Sequence, residues 1–191
     1  RFFIQEQIYQ PFVARFVELA SALKVGNGLD AGTNMGPMIA RRRLAAMEEL
    51  VNDAVAKGAE LKLGGRRIGN HGHFFAPTVL ANVPAEAAIM SNEPFGPIAP
   101  LTSFTSFDEV IERANALPYG LASFVFTRSG ALAARTEEAL DAGLVGVNHM
   151  AVSTPETPFG GVNESGYGSE SGIEGLDAFL RTKFVTELAA L

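Results

Sequence analysis

The sequence predicts an α/β fold with a mostly parallel sheet and flanking helices. Short apolar runs alternate with longer segments in which apolar residues recur every three or four positions, a pattern typical of strands that alternate with helices. The 191 residues are 47% hydrophobic and 19% charged. That composition is typical of a globular chain long enough to bury a core.

The first elements are a strand at residues 1–5 and a helix after it. The apolar residues of this helix share one stripe, formed by Ile8, Phe12, Phe16, Leu19 and Leu23. Pro11 is expected in its first turn, and Gly26 and Gly28 are expected to end it. A loop is predicted over 26–39. The next helix is expected to carry Pro37 in its first turn, Gly58 as its C-cap, and a core face of Leu44, Met47, Val51 and Ala54.

Strands are predicted at 61–63, at 74–80 with an interruption at Pro77, and at 98–104. Ser106 and Glu109 form a capping box that predicts the start of a helix, and Ser129 predicts the N-cap of another. Between and after these helices, 121–126 is expected to be a buried strand and 144–147 a short apolar strand. Residues 149–175 are rich in glycine and lack periodicity, which is typical of a functional loop.

The charge and residue counts argue against several kinds of partner. The net charge is −6 and no basic run occurs, so we expect no nucleic-acid partner. No apolar run approaches the length of a membrane span, so we expect no membrane partner. The absence of cysteine is compatible with a cytoplasmic location, which we expect. The chain has no cysteine, so it cannot supply a thiol nucleophile, and no metal site is expected either.

Two segments combine a rigid backbone with chemically useful side chains. In Asn92–Pro97, two prolines and a glycine flank Glu93 and Phe95. Composition leaves two interpretations open, a site that must hold its geometry or a tight turn with a solvated carboxylate. In Pro158–Val162, Gly160 and Gly161 allow the backbone to approach another segment or a ligand closely. The residues alone favour the simpler alternative there, a turn with Phe159 in the core.

Taken in order, these and other short motifs resemble the aldehyde dehydrogenase superfamily. The motifs are Gly36-Pro37-Met38-Ile39, Phe75-Ala76-Pro77-Thr78-Val79-Leu80, Asn92-Glu93-Pro94-Phe95-Gly96-Pro97, the stretch from Asn115 through Pro118-Tyr119-Gly120-Leu121, Gly146-Val147-Asn148, Pro158-Phe159-Gly160-Gly161-Val162, Ser165-Gly166 and Lys183. The loop from Ser153 to Pro158, followed by Gly166-Tyr167-Gly168, most resembles succinate-semialdehyde dehydrogenases.

The resemblance implies that residues 1–180 are the second half of a catalytic domain and that 181–191 hold an oligomerisation strand and the C-terminus. The cofactor-binding domain, the nucleophilic cysteine and the general base of the family would precede Arg1, so the chain alone is expected to be inactive. The whole enzyme would oxidise an aldehyde, such as succinate semialdehyde, with NAD or NADP. It would be a homodimer or homotetramer. The alternative is a non-catalytic interaction or oligomerisation module that derives from the same fold.

The resemblance also assigns four site residues. Glu93 matches the carboxylate that accepts hydrogen bonds from the nicotinamide-ribose hydroxyls, and Phe95 matches the aromatic residue beside that ribose. Ser153 and Phe159 match positions that line the aldehyde tunnel, where the serine helps to hold the far carboxylate of a semialdehyde. Finally, residues 181–188 alternate, with Thr182, Phe184, Thr186 and Leu188 on one face, and predict a half-buried strand.

Overall fold

A four-stranded sheet organises the N-terminal unit, Arg1–Ser106, in the computed structural model, which describes residues 1–189. The strands are β1 (Phe2–Gln5), β2 (Glu60–Leu63), β3 (Thr78–Ala81) and β4 (Ile98–Phe104). Their order is β1-β4-β3-β2; β4 runs parallel to β1 and β3, and β2 runs antiparallel to β3. All of β3 is buried, as expected for an apolar strand between parallel neighbours. The prediction of an α/β fold with a mostly parallel sheet is confirmed.

Helix α1 (Glu6–Ser21) packs on this sheet through a stripe that overlaps the predicted one in part, because Phe12 and Phe16 contact the core but Leu19 is exposed. Its buried residues are Tyr9 and Val13, whereas Ile8 is 53% exposed. The hydroxyl of Tyr9 hydrogen-bonds backbone groups of the sheet, which favours a buried face centred one residue further along the chain. The expected ends were also wrong, because Pro11 lies inside the helix and the helix stops well before Gly26.

Helix α2 (Arg41–Ala56) carries the core of the unit. All four predicted core residues, Leu44, Met47, Val51 and Ala54, are buried and belong to one cluster with Phe75 and Leu80. Gly58 follows the helix with a φ of 105°, a conformation that favours glycine, so the predicted stop is confirmed. Pro37, by contrast, lies before the helix in an irregular segment and not in its first turn.

Up to residue 189, the second unit, Phe107–Leu191, contains two small sheets, two α-helices and a 3-10 helix, Glu174–Phe179. Its elements are α3 (Phe107–Ala114), β5 (Tyr119–Gly120), β6 (Ala122–Val125), α4 (Gly130–Ala139), β7 (Leu144–Val147) and β8 (Val162–Asn163). β6 and β7 pair in parallel, and β5 and β8 pair antiparallel. The Ser129 side chain accepts a hydrogen bond from the Leu132 N–H at 3.2 Å, which confirms the predicted N-cap.

One strand prediction in this unit needs correction, and another is not tested by a single chain. β6 is shorter than the predicted 121–126, and its residues alternate between exposed and half-buried, so one face of the strand is open to solvent and the strand is not buried as predicted. Residues 181–189 have no regular secondary structure, and Phe184 and Leu188 are 86% and 95% exposed. A strand needs a hydrogen-bonded partner, and none of the described residues pairs with this segment. Its predicted pairing with another chain stays a prediction, and residues 190 and 191 lie outside the described residues.

Within residues 1–189, no helix combines the length and the apolar character needed to cross a membrane.

Candidate functional site

The segment around Glu93 is tied to the fold at both ends. A short 3-10 helix, Ala88–Met90, precedes it, and the Asn92 N–H donates to the Ala88 carbonyl at 2.8 Å. After it, the Thr78 N–H of β3 donates to the Pro97 carbonyl at 2.8 Å. Glu93 itself is exposed, and among residues 1–189 its carboxylate forms no hydrogen bond or salt bridge, although the N-terminal amino group of Arg1 is close enough to interact with its charge. A fixed backbone therefore presents a carboxylate whose two oxygens are both open to a ligand.

Phe95 follows on the same turn and is 72% exposed. Its φ is 41°, in the left-handed region that non-glycine residues rarely adopt. Such a conformation is unfavourable by about 1–3 kcal/mol and persists only where the surroundings enforce it, which is most often at functional sites. The ring borders a shallow hollow whose other walls are Pro37, Met38, Ile39, Arg42 and Arg43.

Helix α2 supports this turn through three contacts that no pattern in the sequence predicts. The Arg43 guanidinium donates a hydrogen bond to the Pro94 carbonyl. Gly96 lies so close to the helix that a Cβ there would overlap the Met47 sulfur. The Asp53 carboxylate accepts a hydrogen bond from the Ala88 N–H at 2.7 Å. These partners are 35 to 51 residues apart in the chain, so no local pattern could have revealed them.

The electrostatics of that support centre on Asp53. Its side chain forms an ion pair with Lys57 at 2.7 Å, one turn further along α2. The hydrogen bond from Lys57, and then the one from the Ala88 N–H, hold the pKa of Asp53 below its ordinary value. The carboxylate is thus kept charged while it anchors the 3-10 helix that leads to Glu93.

Ser153 lies in the long loop that follows β7. The loop is anchored at its start by Asn148, whose side-chain amide accepts from the Thr127 N–H at 2.9 Å and donates to the Thr127 carbonyl at 3.0 Å. Ser153 is exposed, and its hydroxyl has no hydrogen-bond partner in the described part of the chain. The neighbouring turn is closed instead by the hydroxyls of Thr154 and Thr157, 3.0 Å apart. The Ser153 hydroxyl is therefore available to bind a ligand.

Phe159 lies further along the same loop and is half-buried. Its backbone pairs with that of Glu170 through two hydrogen bonds of 2.7 Å. A Cβ at Gly160 would overlap the carbonyl oxygen of Gly168, and one at Gly161 would overlap Ser165. The paired glycines therefore serve a close approach between chain segments, as one of the two interpretations of this motif expected.

The four predicted site residues form two pairs. Glu93 and Phe95 share one turn in the N-terminal unit, and Ser153 and Phe159 share one loop in the second unit. The first pair offers a carboxylate beside an aromatic ring, which suits a hydroxyl-bearing ligand with a flat group. The second offers a hydroxyl beside an aromatic ring. Among residues 1–189, no group of three side chains suited to a metal ion occurs.

Comparison with known proteins gives a match along nearly the whole chain. The model of the aldehyde dehydrogenase family matches residues 1–185. The 4-(hydroxymethyl)benzenesulfonate dehydrogenase TsaD1 of Comamonas testosteroni is 48% identical over 189 residues, which are 99% of this chain and 39% of that protein.

Two solved structures show the same fold. The succinate-semialdehyde dehydrogenase of Burkholderia pseudomallei is 40% identical, with a TM-score of 0.91 over 93% of this chain and 37% of that one. The NAD+ complex of an aldehyde dehydrogenase from Bacillus cereus is 34% identical, with a TM-score of 0.88 over 92% of this chain and 36% of that one. The chain thus spans less than two fifths of the length of these relatives.

Proposed function

Because this chain belongs to the aldehyde dehydrogenase family, we propose that it supplies the nicotinamide-ribose site and part of the aldehyde site of an enzyme that oxidises an aldehyde to a carboxylate with NAD+ or NADP+. The observation that carries this proposal is the Glu93–Phe95 turn. An open carboxylate and an exposed ring stand together on a backbone that is anchored at both ends.

Glu93 would bind the ribose of the cofactor. An ionised carboxylate can accept two hydrogen bonds, one from each hydroxyl of a ribose, and such charge-assisted bonds are strong and directional. When bound, the cofactor would supply the hydride acceptor of the reaction. The residues fit this ligand, because neither Glu93 oxygen is engaged elsewhere in the described chain.

Phe95 would lie against the ribose and the nicotinamide ring. Its exposed apolar face would exclude water from one side of the reacting ring and restrict its tilt. Hydride transfer is sensitive to geometry, since near-attack positioning accounts for a large part of the rate enhancement of many enzymes. Glu93 and Phe95 together would therefore set the position of the ring.

The substrate that we propose is an aldehyde with an anionic group at its far end, such as succinate semialdehyde. Two of the relatives described above are named for a benzenesulfonate and for succinate semialdehyde, both of which carry such a group. The Ser153 hydroxyl is open to donate a hydrogen bond to that anion. Phe159, half-buried on the same loop, would pack against the carbon chain of the substrate.

The remaining chemistry would come from residues outside this chain. The family reaction, as the resemblance implies, begins with thiolate attack on the aldehyde, and the 191 residues contain no cysteine. We therefore expect the 191-residue chain alone to be inactive. Residues 181–188, whose apolar side chains are exposed, would pair with a second copy of the enzyme in a homodimer or homotetramer.

The test is Glu93→Gln in the complete enzyme that we propose contains this chain. Loss of the charge-assisted hydrogen bonds, worth about 1.5–3 kcal/mol, should slow the pre-steady-state burst of reduced cofactor about 10- to 100-fold. The cofactor Kd should change much less, because most cofactor contacts of the family lie in another domain. Glu86→Gln, a nearby exposed glutamate, is the matched control. An unchanged burst rate in Glu93→Gln would contradict the assignment.

The second candidate is a non-catalytic oligomerisation module. The exposed apolar side chains at Phe179, Phe184, Val185 and Leu188 favour it, together with the absence of cysteine. The two functions differ in a simple way. A pure module would assemble through its C-terminal segment but would show no change in any cofactor-dependent measurement when Glu93 is altered.

A further inference from the structure

The left-handed backbone of Phe95 needs an explanation that its own turn does not provide. A phenylalanine at a φ of 41° is unfavourable in isolation. The turn's hydrogen bonds act at Asn92 on one side and at Gly96 and Pro97 on the other. None of them acts on Phe95 itself. The conformation must therefore be enforced by groups that contact the residues immediately before and after it.

Two side chains of α2 make those contacts. Arg43 donates to the carbonyl of Pro94, which belongs to the peptide unit that enters Phe95. Met47 lies directly against Gly96, the residue that leaves it. Arg43 and Met47 are four residues apart and so lie on the same face of the helix. Arg43 thus fixes the plane of the Pro94–Phe95 peptide, which restricts the φ of Phe95. Met47 fixes the position of the Gly96 Cα.

Both contacts are built with little freedom. Met47 is fully buried, and the methyl group of Met38 would be 2.9 Å from a Cβ at Gly96, so the glycine has no room to move towards the helix. The Arg43 Nε is buried and has no hydrogen-bond partner among residues 1–189. Burial of Nε limits how far the guanidinium can turn away from the Pro94 carbonyl.

We propose that Arg43 and Met47 form a clamp that holds Phe95 in its left-handed conformation and so aims its ring at the cofactor. Arg43 is then a positioning residue that acts through Phe95. The part of this proposal that concerns the cofactor rests on the proposed function above. The part that concerns the backbone of Phe95 stands on the contacts alone.

The backbone of Phe95 is the direct readout. In isotope-labelled 191-residue chain, the one-bond Cα–Hα coupling and the carbon shifts of Phe95 report whether φ is positive. Arg43→Met should remove the positive-φ signature, and Arg43→Lys, which keeps a donor, should retain part of it. Arg42→Met is the matched control, because Arg42 is the exposed neighbour that borders the same hollow. A positive φ that persists in Arg43→Met would overturn the clamp.

A second pair of variants tests the other half of the clamp. Gly96→Ala would overlap the Met47 sulfur and should displace Phe95 from its left-handed conformation. Gly96→Ala combined with Met47→Ala removes the closest overlap and leaves space into which the Met38 methyl group, otherwise 2.9 Å from the new Cβ, can move. The new methyl group then takes the place of the Met47 sulfur, so the double variant should restore the signature. This pair remains informative if Arg43→Met fails to fold. An undisturbed Phe95 in Gly96→Ala would overturn the proposal.

In the complete enzyme the clamp predicts a split between rate and binding. Arg43→Met should slow the burst of reduced cofactor about tenfold while the cofactor Kd stays nearly constant. With Phe95 displaced, the nicotinamide ring still binds but is no longer held in the geometry that hydride transfer needs. If Arg43→Met displaces Phe95 but leaves the burst rate unchanged, the positioning role of Arg43 is overturned. If Glu93→Gln leaves the burst rate unchanged but Arg43→Met still changes the backbone conformation of Phe95, the proposed function is contradicted and the clamp is not.

Discussion

Replacement of Tyr9 by phenylalanine removes one hydroxyl from the N-terminal unit and leaves the buried ring in place. Tyr9 is 4% exposed, and its hydroxyl donates to the Leu101 carbonyl at 3.1 Å and accepts from the Asn82 N–H at 2.7 Å. The Leu101 carbonyl also accepts from the Val83 N–H at 3.2 Å, so it keeps a partner in the variant. Only the Asn82 N–H loses its acceptor.

The expected loss of stability follows from the single donor, the Asn82 N–H, that loses its acceptor. An unsatisfied buried donor is unfavourable by about 1–3 kcal/mol. The Asn82 side of the bond is only part-buried, which lets water replace the hydroxyl in part. We therefore expect Tyr9→Phe to lower the free energy of unfolding by about 1–2 kcal/mol, against about 3–5 kcal/mol for Tyr9→Ala, which also leaves a cavity.

Urea unfolding followed by circular dichroism measures both changes. Tyr119→Phe is the control, because Tyr119 is 53% exposed and its substitution should change stability by less than about 0.5 kcal/mol. If Tyr9→Phe proves as mild as Tyr119→Phe, the hydroxyl does not join α1 to the sheet, and the explanation for the buried stripe of α1 fails with it.

The same variant has a pH signature. Burial raises the pKa of Tyr9, and the hydrogen bond from Asn82 opposes that effect in part. A group whose pKa is raised on folding contributes stability that is fully present below its unfolded pKa, about 10 for tyrosine, and lost as the pH rises above it. The stability difference between the native chain and Tyr9→Phe should therefore shrink above about pH 10.

Three further predictions concern the proposed site and its supports. Ser153→Ala in the complete enzyme should raise KM for succinate semialdehyde and spare a neutral aldehyde of similar size; equal effects on both substrates would indicate a purely local role. The pKa of Asp53 is lowered on folding by Lys57 and then by Ala88, so its contribution is present above the unfolded value of about 3.9 and lost as the pH falls below it. Asp53→Asn should therefore show a flatter acid-unfolding profile than the native chain, and parallel profiles would contradict the Asp53 anchor. Truncation of the complete enzyme after Leu180 should abolish its dimer or tetramer in light scattering, and a retained oligomeric mass would show that the segment is not the contact.

Local patterns predicted much of the fold, because many of its helices and strands depend on interactions between residues that are close in the chain. The core face of α2, the bounds of β4 and the Ser129 cap follow from helical period, apolar runs and hydrogen bonding within three residues. The stripe of α1 was right at Phe12 and Phe16 and wrong at Ile8. Its most buried face is centred on Tyr9 and Val13, and the Tyr9 hydroxyl on that face reaches Leu101, 92 residues away. Residues 181–188 could not form a strand in one chain, because their alternation needs a partner.

The candidate site also has features that the sequence predicted and features that depend on tertiary contacts. The residues alone showed that a rigid segment surrounds Glu93 and Phe95, and the family resemblance gave these residues their roles. Neither source predicted the left-handed backbone of Phe95 or the contacts from Arg43 and Met47. Those features arise from tertiary contacts between α2 and a turn about 50 residues away, and an arginine in a short basic cluster gives no local signal of such a contact.

The most direct test of the account is a crystal structure of the complete enzyme with its nicotinamide cofactor bound. We predict that both hydroxyls of the nicotinamide ribose donate to the Glu93 carboxylate at about 2.5–3.0 Å, with the Phe95 ring in contact with the same ribose. A ribose held by other residues, with Glu93 still facing solvent, would contradict the central claim.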